Sequence, residues 1–229
     1  MRTRYPLFVM LAAAGLAAVG PASQAVGKEA ETAARSCGTL RLTSSLPEPP
    51  AGTAVQQDVS VGADCVPRFG AVRLVPVDRA GQGTTGDRRA TVAGAADGSH
   101  HLSSWNEMYD CCGIRMTALY TTSDWTTDGG RVTGAATDAT ERHNREPWNA
   151  GWSPVSVTRG TDCTAGCADS RSEAHADFTY RGIFDATGNR YANVHHSYLD
   201  LGADGTASCR FEVVLRHTFV GWNWRHGCA

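Results

Sequence analysis

Eight histidines, eight cysteines and six tryptophans are the residues of this chain with the most chemistry to offer. The histidines are His100, His101, His143, His175, His195, His196, His217 and His226. In a strand, neighbours point to opposite faces, so neither His100-His101 nor His195-His196 chelates a metal alone. Four residues of strand separate His196 from the position opposite His217, about 13 Å at the rise of a β-strand. That is too far to share an ion, so both read as core histidines hydrogen-bonded to backbone or tyrosine. His195 falls on the opposite face near Arg181, Asn193, Ser197, Glu212 and Arg216, where a general base could sit. No Gly-x-Ser-x-Gly elbow or His-Glu-x-x-His helix occurs, and no nucleophile is marked out for it to activate. The expectation is therefore no catalytic set, no metal and no cofactor.

Cys37, Cys65, Cys111, Cys112, Cys163, Cys167, Cys209 and Cys228 form an even set without a Cys-x-x-Cys pair, which favours four disulfides over zinc. The expected pairs are Cys37–Cys65 and Cys209–Cys228, with Cys111 and Cys112 shared between Cys163 and Cys167. A bond between Cys111 and Cys112 would strain a ring whose Cα atoms are about 3.8 Å apart. The rival pairing joins Cys163 to Cys167 locally. Gly81-Gln82-Gly83-Thr84-Thr85-Gly86 has the spacing of a dinucleotide-binding loop, but Asp87-Arg88-Arg89 leads into more glycine and alanine rather than into a helix. It reads as a plain loop within the irregular stretch from Asp78 to His101.

Trp105 and Trp125 flank the clearest central strand and read as core. Trp148 and Trp152 sit near Pro147 and Gly151, and Trp222 and Trp224 share a face two residues apart. Rings so placed could stack on sugars or anchor a protein partner; the alternative is that they close the ends of the fold.

The elements that position these groups are strands. Alternation recurs over Cys37 to Thr43, Ala54 to Val61, Gly70 to Val77, Ile114 to Thr122, Arg131 to Thr137 and around Val155 and Val157, with no convincing helix. Eight or nine strands at this spacing predict an all-β fold, a single antiparallel β-sandwich stapled by disulfides. It ends in a three-stranded meander from about Ala174 to Cys228. Asp204-Gly205 predicts a two-residue hairpin turn that sets Tyr198 opposite Phe211, His196 opposite Val213 and Ala192 opposite His217. A looser turn over 185–189 sets Tyr180 opposite Val194 and Phe178 opposite His196. One face then carries Phe178, Tyr180, Ala192, Val194, Tyr198, Phe211, Val213 and Leu215. The other carries His195 with Arg181 and Arg216, and reaches Trp222 and Trp224.

Residues 1–25 have Arg2 and Arg4, an apolar run from Pro6 to Val19 and a small-residue end, the pattern of a cleaved export signal. Residues 26–36 read as a mobile leader, and 37–229 as the β-sandwich domain. The chain has 21 Lys+Arg against 23 Asp+Glu, and losing Arg2 and Arg4 moves the net charge from −2 to −4, which disfavours nucleic acid. No apolar run approaches the ~20 residues of a membrane span, so no membrane insertion is expected. Sparse lysine beside abundant Ala, Gly and Arg suggests a bacterial source.

These observations lead to a secreted, non-catalytic module. It would recognise a glycan or protein partner through Trp148, Trp152, Trp222, Trp224 and an outer face with Arg181, His195 and Arg216. Two other classes stay open: a secreted hydrolase using His195 or His143, and a structural subunit whose leader adds a strand to a neighbour's sheet.

Overall fold

The computed structural model describes residues 37–77, 98–145, 151–163, 166–217 and 221–229. The signal and leader segments, most of the Asp78–His101 stretch with its glycine motif, and Trp148 lie outside the described residues. The described residues form twelve strands: β1 (Thr39–Leu46), β2 (Thr53–Val61), β3 (Pro67–Phe69), β4 (Arg73–Pro76), β5 (Gly98–Tyr109), β6 (Arg115–Asp128), β7 (Arg131–His143), β8 (Gly151–Thr161), β9 (Asp169–Arg181), β10 (Ala192–Gly202), β11 (Ala207–Arg216) and β12 (Asn223–Cys228). The protein is all-β, a disulfide-stapled sandwich of two antiparallel sheets. One sheet has the order β1-β11-β10-β9-β8, and the other β3-β2-β12-β5-β6-β7, with β4 beside β2. The count exceeds eight or nine because β3 is too short to alternate visibly, β5 begins inside the polar stretch, and β12 reads in the sequence as a continuation of the last meander strand.

Between the sheets lies one main core, in which Leu42, Met108, Leu119, Phe178, Leu199, Phe211, Leu215 and Trp224 are buried. A smaller apolar cluster of Ala54, Trp105, Ala118 and Tyr120 sits apart from it, on the other face of the larger sheet. Two disulfides join the sheets. Cys209–Cys228 ties β11 to β12, and Cys37–Cys65 ties the entry of β1 to the turn after β2. Both match the expected pairs. Cys163–Cys167 closes the β8–β9 connection instead of reaching Cys111 or Cys112, which are free and exposed. The local rival pairing is therefore the observed one; Cys111 and Cys112 lie in the β5–β6 turn, away from that connection.

The closing meander differs from its expected register by one residue at one turn and by three at the other. Tyr198 faces Arg210, His196 faces Glu212 and His195 faces Val213. The turn is the reason. Gly202 N–H donates to Thr206 O, and three residues lie between them, with Gly205 at φ 83°. Among the described residues only Cys65 and His217 adopt positive φ without being glycine, so Asp204 does not make the two-residue turn. It instead accepts hydrogen bonds from Thr206 N and Oγ1, giving the three-residue hairpin in which only the last residue is left-handed. At the other end the connection is longer than expected and pairs Phe178 with Asn193.

An odd shift turns a strand over. The inward faces expected for β9 and β11 hold, with Phe178, Tyr180, Phe211, Val213 and Leu215 buried. In β10 they invert: Asn193, His195 and Ser197 are buried, and Val194, His196 and Tyr198 turn outward. His217 leaves the sheet at φ 53°. On β6, Ala118 and Tyr120 face away from the main core, while Thr117, Leu119 and Trp125 point into the sandwich. Leu74 in β4 and Val72 just before it are exposed.

Candidate functional site

Of the tryptophans expected as platforms, the three among the described residues, Trp152, Trp222 and Trp224, are structural. Trp152 belongs to β8 and lies 5.6 Å from the Tyr180 ring and 6.1 Å from Trp222; all three are buried. Trp224 is 1 % exposed, lies with its ring 3.9 Å from that of His226 and tilted 30° to it, and donates its indole N–H to Asn106 Oδ1 at 2.7 Å. With β12 placed inside the larger sheet, its even-numbered residues face the core, so Trp224 cannot share the outer face with Arg216. Trp105 and Trp125 are buried as expected.

Arg181 and Arg216 are exposed and converge on one connection, residues 182–191 between β9 and β10. Arg181 Nε donates to Ala186 O and Arg216 Nη1 to Asn189 O, both at 3.2 Å. Inside the loop, Asp185 Oδ1 accepts from Thr187 N, Thr187 Oγ1 and Gly188 N, while Oδ2 accepts from Arg190 N and Tyr191 N. The Thr187 hydroxyl, followed by these backbone donors, holds the Asp185 pKa down at about 2. On this pinned backbone Ile183 and Phe184 are displayed, 83 % and 60 % exposed. Phe184 caps a ladder of rings, with Tyr180 6.3 Å away, Tyr191 6.2 Å beyond that, and His217 6.4 Å from Tyr191. Composition hides this feature, because two apolar residues before an Asp-x-Thr-Gly turn resemble the end of a buried strand.

His195 lies in the interior instead of on the outer face. Its Nδ1 donates to Asn106 Oδ1 and its Nε2 accepts from Thr117 Oγ1, each at 2.9 Å. That tautomer follows because Asn106 Nδ2 donates to the carbonyls of His196 and Glu212, leaving Oδ1 as acceptor, and Asn193 Nδ2 donates to Thr117 Oγ1. Full burial, with smaller contributions from His196 and His175, drives the His195 pKa down to about 3. A neutral imidazole enclosed this way has no carboxylate partner and no route to substrate, so it organises the core.

The outer face of the five-stranded sheet holds the pair that the expected register concealed. His175 sits directly opposite His196, and their Nδ1 atoms are 3.1 Å apart. His175 Nε2 lies 2.9 Å from Asp177 Oδ2, which also accepts from Ser156 Oγ at 2.6 Å. Glu173 Oε1 is 3.7 Å from His196 Nδ1. Partial burial pushes the Asp177 carboxyl up, but hydrogen bonds from Ser156 and His175 outweigh it and leave its pKa below the ordinary value. Tyr198 lies parallel to the His196 ring, and Arg210 stacks on Tyr198 at 3.8 Å. Ser156 bonds the carboxylate and not a histidine, so it is not arranged as an activated nucleophile.

A second carboxylate is enclosed on the far face of the larger sheet. Glu107 is buried and accepts from Tyr109 OH at 2.9 Å and from Tyr120 OH, with Arg115 3.4 Å away. Burial, then the Glu107 charge, pushes Tyr109 up to about 12 and Tyr120 higher still. Arg225 crosses the Tyr109 ring at 4.9 Å and bonds Asp58. These groups satisfy one another. His143, the other histidine considered for hydrolysis, accepts only from Arg145 among the hydrogen bonds of the described residues.

The fold and these sites define a disulfide-stapled antiparallel β-sandwich in which no described helix is long and apolar enough to cross a membrane. No protein-family model matches the chain, and no curated protein or solved structure is significantly similar to it.

Proposed function

We propose that the protein is an exported, non-catalytic recognition module that docks a protein partner through the 182–191 end of the sandwich. The observation that carries this reading is the display of Ile183 and Phe184 on a backbone held by five hydrogen bonds to Asp185. Two large apolar side chains held outward on a loop already ordered lose little further freedom on binding, which is how a small anchor yields affinity. Arg181 and Arg216 flank them as a polar rim. Among the described residues, Trp152, Trp222 and Trp224 are buried and unavailable as platforms for sugars, which favours protein over glycan. The three disulfides agree with an oxidising compartment and with the signal-like first 25 residues.

The test is capture from the medium and envelope of the exporting cells, using immobilised wild type and the Ile183→Asp/Phe184→Asp variant. A protein retained by the first and lost by the second, with equal melting temperatures for both, is the expected result. Retention of both forms on insoluble cell-wall glycan, with no protein distinguishing them, would remove the reading.

A further inference from the structure

We propose that His175 and His196 form a binding site for a divalent transition-metal ion of the kind that favours imidazole, such as Zn²⁺, on the outer face of the five-stranded sheet. The two Nδ1 atoms are 3.1 Å apart on directly opposed residues of neighbouring strands. Two nitrogens that each lie ~2.0–2.1 Å from a tetrahedral zinc are about 3.3 Å from one another, so the rings need only a small opening to admit the ion.

The surroundings supply what a metal-binding histidine requires. His175 Nε2 is held at 2.9 Å by Asp177, and Asp177 by the Ser156 hydroxyl at 2.6 Å. This carboxylate–imidazole pair keeps the proton on Nε2, leaves the Nδ1 lone pair facing His196 and makes the ring a better ligand. His196 Nδ1 then donates to His175 Nδ1 in the metal-free protein; it becomes a ligand by moving its proton to Nε2, with no change in charge. Glu173 Oε1, 3.7 Å from His196 Nδ1 on the same face, is a third donor that a side-chain rotation brings in. Across β10 from the pair stands Glu212, itself bonded to Arg41 and so not free to compete. The side chains of His175 and His196 are 23 % and 21 % exposed, enough for an ion to enter. Among the described residues no group of three or more His, Cys, Asp or Glu is already gathered as a closed set. The site is therefore a two-histidine chelate with an optional carboxylate and water in the remaining positions, which leaves room for an outside ligand.

The experiment is calorimetric titration of ZnCl₂ into the full-length protein carrying Cys111→Ser and Cys112→Ser, so that exposed thiols do not bind the ion. One ion per chain is expected. His175→Ala and His196→Ala should each abolish binding, and Asp177→Asn, which removes no ligand, should weaken it about 10- to 100-fold. His101→Ala, whose partner Asp124 lies on another sheet, should leave it unchanged. Zinc should also raise the melting temperature of the parent and not of the two alanine variants, which separates lost ligands from lost folding. Equal binding by the parent and the His175→Ala and His196→Ala forms, or no binding by the parent at millimolar zinc, would overturn the proposal.

Discussion

His195 and His196 are consecutive residues of one strand, yet they have opposite chemistry. His195 is sealed between the sheets, its two ring nitrogens committed to Asn106 and Thr117. His196 opens to solvent, one ring nitrogen facing another histidine and a glutamate. The dipeptide does not decide which is which; the parity of β10 does, and that parity is set by a single extra residue in the turn before β11. The inner histidine is part of what makes the fold, and the outer one is available for function.

The largest expected effect is on acid stability. His195 and His226 both have pKa values lowered to about 3, by burial above all, against 6.5 for an unfolded histidine. A depressed pKa means that the unfolded chain takes up protons the folded one refuses. Their contribution is complete above pH 6.5, falls as pH drops from 6.5 towards 3, and levels off below that. Each should remove about 1.4 kcal/mol of stability per pH unit inside that window. Urea unfolding at several pH values measures it, and His195→Gln should reduce the slope by one histidine's share. A flat profile between pH 6 and 4 would show that the inner histidine is not sealed.

Next is Asn106, to which the interior cluster is tied. Asn106→Ala leaves His195 Nδ1–H and Trp224 Nε1–H without their acceptor and takes a side-chain donor from the carbonyls of His196 and Glu212, which lie in paired strands. A buried group left unpaired costs about 1–3 kcal/mol, so the two orphaned donors should cost about 4 kcal/mol in all. The urea midpoint should fall with an unchanged m-value. On the outer face, His196→Ala or His175→Ala should cost about 1 kcal/mol in metal-free buffer, the net worth of a partly solvated hydrogen bond. A comparable loss from both regions would erase the distinction between them.

How much of this was legible in the chain depends on what each residue's surroundings required. The fold class was legible, because Leu42, Val55, Val59, Phe178, Phe211, Val213 and Leu215 alternate and are buried. Cys37–Cys65 and Cys209–Cys228 were legible too, since each closes a short span across the two sheets. The face of β10 was not. Asn193, His195 and Ser197 are a polar inner row that hydropathy assigns to water, and they are tolerated inside because Asn106 and Thr117 bind two of them. Asp204-Gly205 signals a tight turn in either hairpin form; the difference lies in a backbone angle at Asp204. Trp222 and Trp224 misled for a related reason: a ring with an N–H donor suits an open end or a buried partner equally well; Trp224 finds its partner in Asn106, far away in sequence, and Trp222 packs on Trp152.

Cysteine gives the same contrast its gentlest test. Cys209 and Cys228 are buried and bonded across the core, and replacing both with serine should cost about 3 kcal/mol by the chain-entropy estimate for a loop of this size. Cys111 and Cys112 are exposed in a turn whose backbone N–H groups at Cys112 and Ile114 are capped by Asp110 Oδ1, independently of either sulfur. Their Sγ atoms are 3.5 Å apart, within hydrogen-bond reach and not joined by a disulfide. Cys111→Ser/Cys112→Ser should therefore move the urea midpoint by less than about 0.5 kcal/mol in free energy. Alkylation of the native protein should modify these two residues and leave the other six blocked until reduction. If the native protein yields no alkylated cysteine, Cys111 and Cys112 have joined to each other or to a partner, and the β5–β6 turn holds a bond that the structure does not assign to it.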